Sequence, residues 1–449
     1  MSLAILIKNA TIITQNPRRE VFSPGYLAVD DGGRLSAVAA GEPRGLAARE
    51  TIDAGGAIVF PGFINTHTHL FQVLYKGLGA DLDFLGWLNL VSLPVSAALT
   101  PEACYSSALV GSLDLLHSGC THALNYAHSN PVPGVALASL QGMQAAGISG
   151  TVARGVRTVG SAITALQEDV EVSFAEALDL RQACTDSGGL FHAWLAPAVV
   201  WALRRDDLAA VAGFARSAGF RVTMHLNETP DDNQRSIAQW GHTAIDELEL
   251  HGLVDKLLAV HCVHLTDADR RRLVAAGASV SHNPIANMYL GTGVAPIPQL
   301  LTDGATVALA TDGAASNNSQ DMFEVVKTTA LLHRVTNPGP KAVLSAQDVL
   351  DMATLAGARA LGLEHELGSL EQGKRADFCV FDPVRSQRST PWHDAVNTLV
   401  FAAGREGIAR VVVAGRQVIV DGSSTLVDEA QVNQACQADA RALVKKALG

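Results

Sequence analysis

Between residues 57 and 365 the chain alternates short apolar, β-branched runs with amphipathic stretches, about eight times in all. Strands are predicted at 57–69, 121–126, 150–156, 190–199, 221–226, 257–263, 278–282 and 306–311. Helical stretches such as 207–217, 236–251 and 267–275 lie between them. Another helix opens at Thr100-Pro101-Glu102, with Thr100 as N-cap and proline at the first helical position. Strands separated by helices pair in parallel, which makes this an α/β chain. A length of 449 residues exceeds one typical domain, but a barrel of about 250 residues plus a smaller domain accounts for it. Non-helical β segments flank the alternation at 3–14 and 25–40, and again at 376–381, 408–413 and 417–420. The expected fold is therefore a (β/α)8 barrel over 57–365. Beside it lies a β-sandwich built from both termini, 1–56 and 366–449, the latter ending in a surface helix.

The net charge of −11 disfavours nucleic acid and anionic membrane as partners. No apolar run reaches the ~20 residues of a membrane span, and no signal peptide is read at the N-terminus. Cys104, Cys120, Cys184, Cys262, Cys379 and Cys436 are scattered, which fits reduced thiols and a cytoplasmic location.

In a barrel of this kind chemistry collects at the C-terminal strand ends, and polar residues recur there. The first strand ends in His67-Thr68-His69, whose imidazoles share one face because strand side chains alternate. Two such imidazoles suit zinc, iron, nickel or copper better than magnesium or calcium. Later strands end in His225 with Glu228, in His261 with His264, in His282-Asn283, and in Asp312. Nine other histidines, His117, His122, His128, His192, His242, His251, His333, His365 and His393, are read as structural or surface groups.

Six segments carry a resemblance: PGFINTHTH (61–69), HLNE (225–228), AVHCVHLT (259–266), SHNPIANMYLGTGVAP (281–296), TDGAASNNSQDM (311–322) and EQGKRADFCVFD (371–382). In this order they resemble the amidohydrolase superfamily, in its branch of aminohydrolases and chlorohydrolases acting on purine, pterin and s-triazine rings. The resemblance covers essentially the whole chain and implies a distorted (β/α)8 barrel with a flanking β-sandwich. It implies one divalent metal ion, zinc first and iron as the alternative, held by His67, His69, His225 and Asp312. Glu228 would shuttle a proton to a ring nitrogen, His261 would orient the water, and Asp312 would accept that water's proton. Metal-bound hydroxide would then attack the ring carbon and ammonia would leave. Members with two metals bridge them with a carboxylated lysine on the fourth strand. No lysine stands between Lys76 and Lys256 here, which implies a single ion.

The resemblance also names substrate-side residues. Trp87 matches a tryptophan lying over the substrate ring, Arg154 an arginine near a ribose, and Gln72 and Asn283 join them. Nucleoside deaminases of the branch carry acidic residues just before the tryptophan, where Leu85 and Gly86 stand, and a histidine after the fourth strand, where 195–200 has none. The favoured expectation is thus deamination of a free amino-heterocycle, a small molecule. A triazine chlorohydrolase and an adenosine- or S-adenosylhomocysteine-type deaminase are the alternatives. A homo-oligomer fits an enzyme of this size, but no interface is legible.

Overall fold

The computed structural model describes residues 3–161, 163–339 and 343–449, a mixed α/β chain. Five strands come first: β1 (Leu3–Ile13), β2 (Val21–Asp30), β3 (Leu35–Ala40), β4 (Ala48–Asp53) and β5 (Ile58–Pro61). Eight more alternate with helices: β6 (Phe63–Thr68), β7 (Cys120–Ala127), β8 (Ser149–Val156), β9 (Phe191–Pro197), β10 (Thr223–Leu226), β11 (Leu258–His261), β12 (Ser279–His282) and β13 (Thr306–Leu309). Four close the chain: β14 (Phe378–Phe381), β15 (Ile408–Val413), β16 (Arg416–Val420) and β17 (Ser423–Ser424), followed by the helix Glu429–Leu448.

The middle eight form two parallel four-stranded sheets, β6-β7-β8-β9 and β10-β11-β12-β13. They meet on both sides. Leu195 of β9 bridges Val222 in parallel, and its N–H donates to the Arg221 carbonyl at 3.0 Å. Opposite, the Asp312 N–H beyond β13 donates to the His67 carbonyl of β6 at 3.1 Å. Alternation then sorts the side chains. Ile64, Leu124, Tyr126, Ala153, Trp194, Leu258 and Ala308 share one inner cluster. Val152, Leu195, Met224 and Ala259 face outward into the larger core beneath the helices. The helix Pro101–His117 starts as its sequence dictates, with the Thr100 hydroxyl accepting the Ala103 N–H at 3.3 Å.

The strand expected over 57–69 is two strands. Residues Ile58–Pro61 pair with β1 and β14, whereas Phe63–Thr68 pair with β7. The break falls at Gly62, where a Cβ would lie 2.2 Å from the Thr121 side chain. The chain therefore passes from one sheet to the other at Gly62. Strands from both termini join one nine-stranded sheet. This sheet curls until its far parts touch: Arg34 bridges Arg375, and the Gly33 turn abuts the Ala414 carbonyl. The curl encloses a core of its own, with Ile7, Leu27, Val59, Phe378 and Val412 among its members.

All six cysteines are buried and unpaired. Among the described residues no single helix is long and apolar enough to cross a membrane.

Candidate metal centre

Strand β6 delivers His67 and His69, β10 delivers His225, and β11 delivers His261, all at C-terminal strand ends. Asp312 follows β13 by three residues and Glu228 follows β10 by two. His67 Nε2 and His69 Nε2 each lie 3.3 Å from Asp312 Oδ1. His225 Nε2 lies 3.4 Å from His69 Nε2. His67 can share an ion with His69 and Asp312, or with His225 and His261, since the donor atoms of each set lie within 4.8 Å of one another. The backbone is bent to achieve this. Asn227, His261 and Asp312 have φ of 48°, 72° and 60°, in the left-handed region. Such conformations cost of order 1–3 kcal/mol each and persist where surrounding structure enforces them.

Hydrogen bonds fix which nitrogen of each ring is free. His69 Nδ1 donates to the Tyr126 carbonyl at 2.9 Å, and His225 Nδ1 to the Ala198 carbonyl at 2.7 Å. Each ring is left with its Nε2 lone pair facing the cluster. Both ring nitrogens of His67 are buried without a hydrogen-bond partner. A neutral imidazole carries one N–H and one lone pair, and a buried lone pair without a partner is costly unless something fills it, as a cation held by imidazole and carboxylate would. Imidazole and carboxylate donors fit zinc or iron.

Burial, more than any neighbour, drives His67 and His261 down to about 3, and it also lowers His69 and His225. All four rings are neutral at physiological pH, the form that binds metal. Burial alone would raise Asp312, but the His67 contact and the surrounding imidazoles hold it well below its ordinary value. Its Oδ1 accepts the Gly313 N–H at 2.7 Å and its Oδ2 the Ser316 hydroxyl at 3.0 Å. Glu228 is the reverse case. Burial first, then the charges of Asp312 and Asp232, push it well above the ordinary carboxylate range, so it keeps its proton. Its Oε2 lies 3.6 Å from His261 Nε2.

The substrate-side expectations fare differently. Trp87 is buried among Phe71, Leu290 and Ala314, and its indole N–H has no partner. Gln72 packs under the loop after β13, with Oε1 accepting the Ala315 N–H at 3.2 Å. Asn283 stands behind His261, its amide nitrogen 3.5 Å from Nδ1, so it braces that ring. Arg154, expected near a ribose, is engaged elsewhere in the structure. It shares the outward parity of Val152 on β8, and its guanidinium binds Glu168 at 2.7 Å and Glu176 at 2.9 Å, away from the cluster. Its burial reflects an ion-pair triad.

Three groups at the centre were missed. His128, read as structural, puts Nδ1 3.2 Å from His69 Nδ1. Asn287 donates to His261 Nδ1 at 3.0 Å and to the Thr292 hydroxyl at 2.9 Å. The ring of Tyr126 stands 4.5 Å from that of His225. Tyr126 and His128 sit at the end of β7, which is the signal that would have found them, whereas Asn287 lies on the helix Pro284–Tyr289 beyond β12. Beyond Glu228 a cleft of about 220 Å³ opens, bordered by Asp83, Phe84, Trp201, Thr229, Asp231 and Asp232. Three aspartates, Asp83, Asp231 and Asp232, reach this cleft, and so does Arg235 of the helix Asp231–Trp240.

A sequence profile of the amidohydrolase family matches residues 58–418. A 5-methylthioadenosine/S-adenosylhomocysteine deaminase of Desulforudis audaxviator is 34% identical over 447 residues, 99% of this chain and 100% of that one. Among solved structures, a zinc-bound adenosine deaminase from Xanthomonas campestris superposes with a TM-score of 0.91 at 28% identity, covering 98% and 99% of the two chains. An atrazine chlorohydrolase from Arthrobacter aurescens in complex with zinc gives 0.88 at 25% identity, covering 97% and 100%.

Proposed function

The chain belongs to the amidohydrolase family and is a hydrolase of C–N bonds that deaminates an N-heteroaromatic ring, and we propose that its substrate is an adenine ring carried on a sugar. The cleft that begins at Thr229, next to Glu228 in the chain, and carries three aspartates against Arg235 is the observation that supports this choice. Sugar hydroxyls need placed acceptors, and Asp83, Asp231 and Asp232 supply them where a free base would leave them unused. The nucleoside-type names of the relatives agree. We read the eight parallel strands as one distorted (β/α)8 barrel and the curled terminal sheet as its flanking sandwich.

The proposed cofactor is one zinc ion on His67, His69, His225 and Asp312. When bound, it supplies Lewis acidity and lowers the pKa of water toward ~7. Asp312, held ionised, accepts the proton of the attacking water. His261 has Nδ1 occupied by Asn287, so its Nε2–H donates toward the water's oxygen. Glu228, held protonated, gives its proton to a ring nitrogen and makes the adjoining carbon electrophilic. Glu228 then takes the hydroxyl proton of the tetrahedral carbon and passes it to the amino group, which leaves as ammonia, and the proton held on Asp312 restores the acid form of Glu228. Trp87 covers the ring, with its unpartnered N–H aimed at an acceptor on the substrate. The unpaired thiols suit a reducing compartment, which we take to be the cytoplasm.

The test is ammonia release by zinc-loaded protein on adenosine, 5-methylthioadenosine, S-adenosylhomocysteine, adenine, guanine and an aminotriazine, with chloride release from a chlorotriazine measured alongside. Turnover of the sugar-bearing compounds at least about tenfold above the free bases is expected. Preference for a free base, or release of chloride only, would overturn the reading.

A further inference from the structure

A second concavity, of about 960 Å³, lies at the opposite ends of the strands, under the starts of β9 to β13. Four cations line it, Arg181, Arg221, Lys256 and Arg359, against one carboxylate, Glu364. This imbalance opposes the chain's net charge of −11. Arg154, Arg270 and Arg375, largely buried elsewhere, are each matched to a carboxylate. Among the described residues none of the four floor cations comes within ion-pair distance of one.

Neutral partners hold two of them. Arg221 lies 4.3 Å over the Trp194 ring and donates from Nη2 to the Ala360 carbonyl at 2.9 Å. Arg181 stacks 4.6 Å from the Phe220 ring and donates to the Ala218 carbonyl. Carbonyls and aromatic faces fix a guanidinium without cancelling its charge. Arg221 Nε is buried with no acceptor at all. Desolvation acts against this charge, and the lone Glu364 offsets it only in part. Like charges gathered in a concave, partly dry space repel one another, and an anion between them removes that cost.

We propose that this floor binds a small polyanion of the phosphate-ester or polyphosphate class. Arg181 and Arg221 offer preset forks for its oxygens and Lys256 and Arg359 supply mobile charge. This site is independent of the metal centre and of the reaction there.

The experiment uses the full-length zinc-loaded protein, titrated calorimetrically with pyrophosphate and with inorganic phosphate, against sodium chloride of equal ionic strength. Binding of about one pyrophosphate per chain is expected, tighter than phosphate. Lys256→Gln and Arg359→Gln, separately, should each weaken it roughly tenfold, with deaminase turnover unchanged as proof of folding. Arg272→Gln, a surface cation elsewhere, should leave it unaltered. The proposal fails if pyrophosphate binds no better than chloride. It also fails if binding vanishes when zinc is stripped, or survives the Lys256→Gln/Arg359→Gln double substitution.

Discussion

Glu228 Oε2 and His261 Nε2 face each other at 3.6 Å, both buried. On a surface they would form an ion pair. Here burial raises the carboxyl and lowers the imidazole, so the pair is neutral, and the proton sits on the group that must deliver it. Glu228→Gln keeps the shape and the hydrogen-bond donor but has no transferable proton. We expect kcat to fall about 10²–10⁴-fold, with zinc content unchanged by elemental analysis. Near-normal ammonia release from the glutamine variant would remove Glu228 from the reaction.

The same carboxyl gives a stability signature. Its folded pKa lies above the ordinary value of 4.5. Its contribution is thus complete below about pH 4.5 and is lost as pH rises through the folded value, because the unfolded chain releases the proton first. Glutamine at 228 lacks this dependence. In metal-free protein the stability of Glu228→Gln relative to the parent should climb with pH, by at most about 1.4 kcal/mol per unit across that window. Parallel denaturation curves of the two proteins from pH 5 to 8, about the working range, would show that Glu228 ionises freely.

Arg154 tests the outward reading of β8. Arg154→Met leaves Glu168 and Glu176, the latter on the helix Val170–Thr185, without their cation, and should cost about 3 kcal/mol, the low end for a broken buried pair because both carboxylates keep some exposure. The folded fraction should keep its KM, since the side chain points away from the cluster. A large rise in KM without loss of stability would return Arg154 to the substrate.

That residue marks a limit of sequence reading. The eight strands were legible because each apolar run is short and bounded, and the His-x-His, HLNE and TDG ends singled out the side chains that the structure brings together at His67, His69, His225 and Asp312. Which face a polar residue takes was not legible, since one step along β8 reverses it. The cleft acids escaped for another reason. They were sought beside Trp87, whereas Asp231 and Asp232 arrive from the far side of Glu228. Asn287 and His128 act on ligands brought close only by tertiary folding.

His128 is the case to measure. With Nε2 of His69 turned to Asp312, its Nδ1–H is shared between the Tyr126 carbonyl at 2.9 Å and His128 Nδ1 at 3.2 Å. Burial, and then His69 itself, keeps His128 neutral, so its Nδ1 can accept. His128→Phe removes one acceptor while keeping a ring against Phe71. Zinc affinity in a chelator competition should fall about 10–100-fold. Unchanged affinity would mean that the carbonyl alone orients His69.

Asn287 decides the tautomer of His261. Its amide N–H donates to Nδ1, so the ring proton must sit on Nε2, toward Glu228 and the reacting oxygen. Asn287→Ala frees the ring, and Asn287→Asp does more, because a carboxylate takes Nδ1–H and leaves Nε2 as an acceptor. The donor the reaction needs is then replaced by a lone pair. We expect kcat to fall more in Asn287→Asp than in Asn287→Ala, on the order of 10²-fold or beyond, with zinc content intact in both. A merely structural role for Asn287 would make the two variants equal, or make alanine, which loses the hydrogen bond to Thr292, the worse of the two.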